Sequence, residues 1–133
     1  MKKINHIGIA VNDIEKAKSV FSRIFGIKSF GSEIVETESV ITSFFQLGES
    51  KIELVSPISN ESVISKYLAK NKEGAHHIAF DVENIYEEID RLQKEGIRVL
   101  NETPKKGANN KLIAFLHPKD TCGVLIEICQ NIN

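Results

Sequence analysis

The stretch His6-Ile7-Gly8-Ile9-Ala10-Val11 returns 71 residues later as His77-Ile78-Ala79-Phe80-Asp81-Val82. A second phrase is repeated further on: Ile52-Glu53-Leu54-Val55 comes back as Ile126-Glu127-Ile128-Cys129. Self-similarity at about half the chain length marks a duplicated supersecondary unit. Each copy opens on a histidine and closes on a glutamate. Two imidazoles and two carboxylates make a full ligand set for a divalent metal. If the copies pair so that the four residues converge, a metal site lies at the internal symmetry axis.

Working outward from the histidines, both opening runs alternate with period two, the pattern of a half-buried strand. His6, Gly8 and Ala10 share one face; Ile7, Ile9 and Val11 share the other. A helix follows each strand. Asn12 or Asp13 caps the first, with an apolar stripe of Ile14, Ala17, Phe21, Ile24 and Phe25 and a stop at Gly26. Asn84 caps the second, with Ile85, Ile89 and Leu92 as its stripe and Gly96 as its stop. β-like runs then come in threes: Lys28 to Val35, Val40 to Leu47 and Lys51 to Val55, then Ile97 to Leu100, Lys111 to Leu116 and Gly123 to Cys129. Each half reads as βαβββ. Asn60 to Lys72 reads as a connecting helix with Ile64, Tyr67 and Leu68 on its buried face. The chain is expected to form one domain over 1–133, with module one at about 1–57, a linker helix at about 60–72 and module two at about 75–130. One such sheet leaves an apolar face bare, and the second copy is its natural cover.

The composition is that of an ordinary globular chain: 133 residues, 41% apolar and 26% charged. Seventeen basic residues against 18 acidic ones leave a net charge of -1, which argues against a nucleic-acid or membrane partner held by bulk charge. No apolar stretch is long enough to span a bilayer, and Lys2 and Lys3 lead straight into a strand rather than a signal-peptide core. Two cysteines, Cys122 and Cys129, suit free thiols in a reducing cytoplasm better than a disulfide framework.

The histidine faces are otherwise lined by small or polar residues, Gly8 and Ala10 in one copy and Ala79 and Asp81 in the other. That leaves space beside each imidazole. Glu53 and Glu127 are ringed by aliphatics, where an unpaired carboxylate is costly and a cation removes the cost. One strand histidine alone is more often a core residue than a ligand, and one strand glutamate more often faces solvent. The coincidence of both, in equivalent places in both copies, favours His6, Glu53, His77 and Glu127 as a metal site. His76 points the other way from His77 and reads as structural or as a support behind the ligands; His117 lies in a loop.

Five segments carry a resemblance: His6-Ile-Gly-Ile-Ala-Val-Asn-Asp-Ile-Glu-Lys-Ala17, Leu47-Gly-Glu-Ser-Lys-Ile-Glu-Leu-Val-Ser-Pro57, the linker Ser62 to His77, Gly107-Ala108, and Phe115-Leu-His-Pro-Lys-Asp120 leading to Gly123-Val-Leu-Ile-Glu127. In them the chain resembles the vicinal-oxygen-chelate (glyoxalase/bleomycin resistance) superfamily, and within it the methylmalonyl-CoA epimerases. The opening His and closing Glu belong to the whole superfamily; the linker and the His-Pro-Lys-Asp loop are more particular to the epimerases. The resemblance implies an α+β fold in which two paired βαβββ modules form an open, mostly antiparallel, barrel-like sheet around a metal. It implies His6, Glu53, His77 and Glu127 as ligands of a divalent ion (Co, Ni, Zn or Mn), an acyl-CoA substrate and a homodimer.

The implied reaction exchanges the (R) and (S) forms of methylmalonyl-CoA by removing the proton next to the thioester and returning it on the other face. A divalent cation would stabilise the enolate as a Lewis acid. Glu127 is the expected base. Some family members carry a second glutamate in the middle strands of the first half, where this chain has Thr42, which cannot be a base. Glu53, a metal-bound water, or Glu36 or Glu38 remain for the second face. Lys105, Lys106, Lys111 and Lys119 are candidates to meet CoA phosphates, or are solvated surface lysines. Three rivals share the fold: a glyoxalase acting on a glutathione hemithioacetal, a ring-cleaving dioxygenase, and a non-catalytic drug-binding protein. The epimerase-like linker disfavours the first, the ligands split between halves the second, and the retention of all four ligands the third.

Overall fold

The structure is a computed structural model that describes residues 1–132. It is α+β, with eight strands and three helices in two compact units. The first unit joins Met1–His6 to the chain from His77 onward, and the second holds Ile7–His76. Strand β1, Lys3–Ala10, therefore begins in one unit and ends in the other.

In the unit of residues 7–76, helix α1 (Ile14–Phe25) follows β1. The Asp13 side chain accepts the backbone N–H groups of Glu15 and Lys16, and Gly26 closes the helix at φ 69°, a left-handed conformation that a Cβ would penalise. Strands β2 (Phe30–Val35), β3 (Val40–Leu47) and β4 (Ser50–Pro57) follow, each antiparallel to the next. Phe45 pairs with Ile52 and Ser43 with Leu54, on the face toward α1. There Phe45, Leu54, Val11 and Ala17 form a buried cluster with Ile14, Phe21 and Phe25. Ile24 is exposed instead, because the apolar stripe is narrower than the sequence pattern suggested. Thr42, Phe44, Glu53 and Val55 take the opposite face. Helix α2 (Val63–Asn71), the linker, is capped by Ser62 and buries Ile64.

The unit that runs on from His77 repeats the plan. Strand β5 (Gly74–Asp81), which begins in the unit of residues 7–76, leads to helix α3 (Ile85–Lys94); Asn84 accepts from Tyr86 and Glu87 N–H groups. Strands β6 (Lys105–Gly107), β7 (Lys111–Phe115) and β8 (Ile126–Asn131) complete it. Strand β5 runs parallel to β8, while β8–β7 and β7–β6 are antiparallel. The duplication is literal at the backbone. Val11 N–H bonds the Val55 carbonyl in one unit, and the equivalent Val82 N–H bonds the equivalent Cys129 carbonyl in the other.

The sequence placed a strand at Ile97 to Leu100; the structure has there a loop with a single bridge from Val99 to Leu116, and the strand comes at Lys105–Gly107. Side-chain anchors hold that loop. Asp120 accepts both the Arg98 backbone N–H and its guanidinium, and Asn101 accepts the Phe115 N–H. Ile97 and Val99 still pack inward, against the cluster of Val82, Ile85, Ile89, Leu92, Ala114, Leu116 and Ile128 beneath α3.

Candidate metal centre and active site

The pairing of β5 with β8 decides which side chains meet. Ala79 lies beside Glu127 and Asp81 beside Cys129 in the parallel ladder, and Phe115 lies opposite Glu127 across β8–β7. Side chains alternate along each strand, so His77, Ala79, Asp81, Glu127, Cys129, Ile113 and Phe115 share one face. Ile78, Phe80, Ile126 and Ile128 take the other, toward α3. On β5 the histidine face is the more buried one, since His77, Ala79 and Asp81 are buried while Ile78 and Phe80 are half-buried.

On that face three of the four expected ligands converge. His6, His77 and Glu127 each offer an atom within 4.8 Å of the others. The two imidazole Nε2 atoms stand 3.1 Å apart. Glu127 places one carboxylate oxygen 3.5 Å from His77 Nε2 and the other 3.8 Å from His6 Nε2. The rings meet edge to face at 87°, and Phe115 covers His77 with its own edge-to-face contact. All three residues are buried, His6 at 4%, His77 at 6% and Glu127 at 5% exposure.

The donor set fits a divalent ion. Two donors bound to one ion at about 2.0–2.2 Å lie roughly 3.0–3.5 Å from each other, close to the first two separations found here. Two unprotonated imidazole nitrogens facing each other at 3.1 Å repel unless a proton or a cation stands between them. A carboxylate in so dry a place is costly without positive charge beside it. Imidazole and carboxylate together suit Co, Ni, Zn and Mn alike.

Glu53, the fourth expected ligand, lies in the other unit, buried on β4 opposite Phe44 on the face it shares with Thr42. Thr42 is itself buried and its hydroxyl donates to the Glu33 carbonyl. Glu36 and Glu38 sit in a short 3-10 turn between β2 and β3. His76 rests edge to face on Tyr67. His117 caps the 3-10 turn Pro118–Asp120 by accepting the Lys119 N–H. Of the lysines considered for phosphate contact, Lys111 is buried against Asn131 and near Asp81 and cannot be one; Lys106 and Lys119 are exposed. Cys122 and Cys129 are both free. Burial pushes the Cys129 thiol well above its ordinary range, and the Glu127 carboxylate adds to the effect.

Sequence reasoning missed Asn5 and the part played by Lys111. Asn5 Oδ1 lies 2.8 Å from His6 Nδ1, and its amide nitrogen lies 3.1 Å from both Asp81 oxygens. Asp81 could have been found: an aspartate in an otherwise apolar strand is the same signal that marked the glutamates.

Residues 5–115 match the Glyoxalase/Bleomycin resistance protein/Dioxygenase superfamily. The chain is 41% identical to the human mitochondrial methylmalonyl-CoA epimerase over 129 residues, 96% of this chain and 73% of that one. It is 39% identical to an ethylmalonyl-CoA/methylmalonyl-CoA epimerase of Cereibacter sphaeroides, over 96% of this chain and 97% of that one. Among solved structures, a methylmalonyl-CoA epimerase in complex with methylmalonyl-CoA and NH4+ superposes with a TM-score of 0.94 at 34% identity, covering 98% of this chain and 95% of that one.

Proposed function

We propose that this chain, which belongs to the Glyoxalase/Bleomycin resistance protein/Dioxygenase superfamily and within it to the methylmalonyl-CoA epimerases, interconverts the (R) and (S) forms of methylmalonyl-CoA. The observation that carries this reading is the buried His6–His77–Glu127 cluster in a chain so similar, over nearly its whole length, to enzymes of that name.

His6, His77 and Glu127 would hold a divalent ion, cobalt, nickel, zinc or manganese, and the family resemblance adds Glu53 to the expected ligand set. When bound it supplies Lewis-acid stabilisation of the negative charge that develops on the thioester oxygen. The rest is proton handling by the chain. Glu127 takes the proton from the carbon between thioester and carboxylate; the C–H electron pair becomes a C=C bond and the thioester C=O π pair moves onto oxygen, giving an enolate. Epimerisation needs a proton returned on the opposite face. Thr42 cannot act as a base there, and Glu53 is the candidate donor. Phe115 and the aliphatic strands exclude water, which strengthens the electrostatics of the transfer. Support for Glu127 as base comes from its burial beside two imidazoles and from its position at the close of the second copy.

The acyl-CoA substrate class follows from the same relatives. A homodimer in the cytoplasm is the state we expect, with Cys122 and Cys129 reduced; light scattering on the purified chain tests the first part. No described helix is long and apolar enough to cross a membrane. A direct assay separates the reading from its nearest rival. Turnover of methylmalonyl-CoA but not of the glutathione–methylglyoxal hemithioacetal supports the epimerase; the reverse preference overturns it.

A further inference from the structure

We propose that Asn5 is a positioning residue that locks the His6 ring in its Nδ1–H tautomer and so aims a lone pair on Nε2 at the metal. This deepens the metal-site reading above and rests on it.

Asp81 fixes which way the Asn5 amide faces. A carboxylate only accepts hydrogen bonds, so the Asn5 group facing both its oxygens at 3.1 Å is the NH2. That fixes the amide: nitrogen toward Asp81, oxygen toward His6. The oxygen carries no proton, so the 2.8 Å contact to His6 Nδ1 requires a proton on Nδ1. A neutral imidazole has one N–H, and Nε2 is left with its lone pair, 3.1 Å from His77 Nε2. The orientation is therefore dictated by bonding, not by the resemblance of amide nitrogen and oxygen.

The anchor is itself held. The buried Lys111 ammonium is 3.9 Å from Asp81 Oδ1 and is also bonded to Asn131, and the Cys129 sulfur lies 3.7 Å from the same oxygen. The Lys2 backbone N–H bonds the Asp81 carbonyl, tying the chain before β1 to the end of β5. The relay Lys111–Asp81–Asn5–His6 lies within one compact unit. A ligating histidine whose other nitrogen is held in this way keeps its ring orientation and tautomer when the metal leaves.

The test uses the whole metal-free chain and needs no substrate. Nitrogen NMR of the histidine rings is expected to show His6 with a protonated Nδ1 and an unprotonated Nε2. Asp81→Asn lets the Asn5 amide turn over, and Asn5→Ala removes it. Both should shift His6 toward the Nε2–H form and weaken Co2+ binding, measured by calorimetry, by about 10–100-fold. The double change N5D/D81N exchanges acceptor and donor, and should restore both the tautomer and the Co2+ affinity; a merely structural role would not be rescued in this way. His6 protonated on Nε2 in the unaltered protein overturns the proposal even if every variant fails to fold. So does an unchanged tautomer in folded N5A and D81N. A failed epimerase assay would leave these spectra untouched, so the two readings fail separately.

Discussion

Replacing Glu127 with Gln keeps the side chain's size and removes its basicity. Exchange of the substrate proton should fall by about 100-fold or more, with the fold retained by circular dichroism; near-normal turnover would sink the assignment of Glu127 as base. The two cysteines make a second, cheaper prediction. Cys122 is exposed, whereas Cys129 is buried with its thiol pushed far from ionisation. A thiol reagent should label one site in the native chain and both after unfolding. At this scale the sequence was informative where chemistry is duplicated: two histidines and two glutamates in matching places could be read directly. Asn5 was not readable, because its role depends on Asp81, which stands 76 residues away in sequence and beside it in space. Lys111 looked like any surface lysine until the β7–β8 register buried it.

Among the elements, the helices were the most legible, since both carry their caps in the sequence. Asp13→Ala and Asn84→Ala should each lower stability by about 1 kcal/mol in urea denaturation, through lost bonds to the first-turn N–H groups. Gly107 is a sharper case. A Cβ there would stand 2.8 and 2.9 Å from Ile113 side-chain atoms, so Gly107→Ala should cost roughly 1–3 kcal/mol by overpacking, and Ile113→Val in the same chain should recover part of it. The loop at residues 97–100 was misread as a strand because its apolar residues do pack inward. Its path is instead set by Asp120 gripping Arg98, which no local pattern reveals. The Arg98 guanidinium holds the Asp120 carboxyl well below the usual carboxylate range. Its folded value being depressed, the ion pair stabilises above the unfolded value of about 3.9 and loses that contribution as pH falls toward the folded value. Unfolding midpoints of the unaltered chain and Asp120→Asn should therefore differ at pH 7 and draw together only as pH falls from about 3.9 toward the folded value.

For the molecule as a whole, the duplication announced the α+β class and the βαβββ plan, because period-two strands and capped helices are local signals. That residues 1–6 join the compact unit begun by His77 was not legible. Strand partners distant in sequence are chosen by register and packing, which leave no mark on either strand alone. The consequence is chemical: His6 reaches His77 and Glu127 only because its strand starts in the other copy's unit. Metal binding should thus stabilise the fold by mass action, with the melting temperature rising with free Co2+ in the unaltered chain and not in a His6→Ala/His77→Ala variant.

The most direct check on the account is solvent deuterium exchange into methylmalonyl-CoA, followed with and without a chelator. Deuterium should enter at the carbon between thioester and carboxylate in both epimers, stop when the metal is stripped, and resume when a divalent ion is restored. No deuterium at that carbon, or exchange undiminished in fully stripped protein, would contradict it.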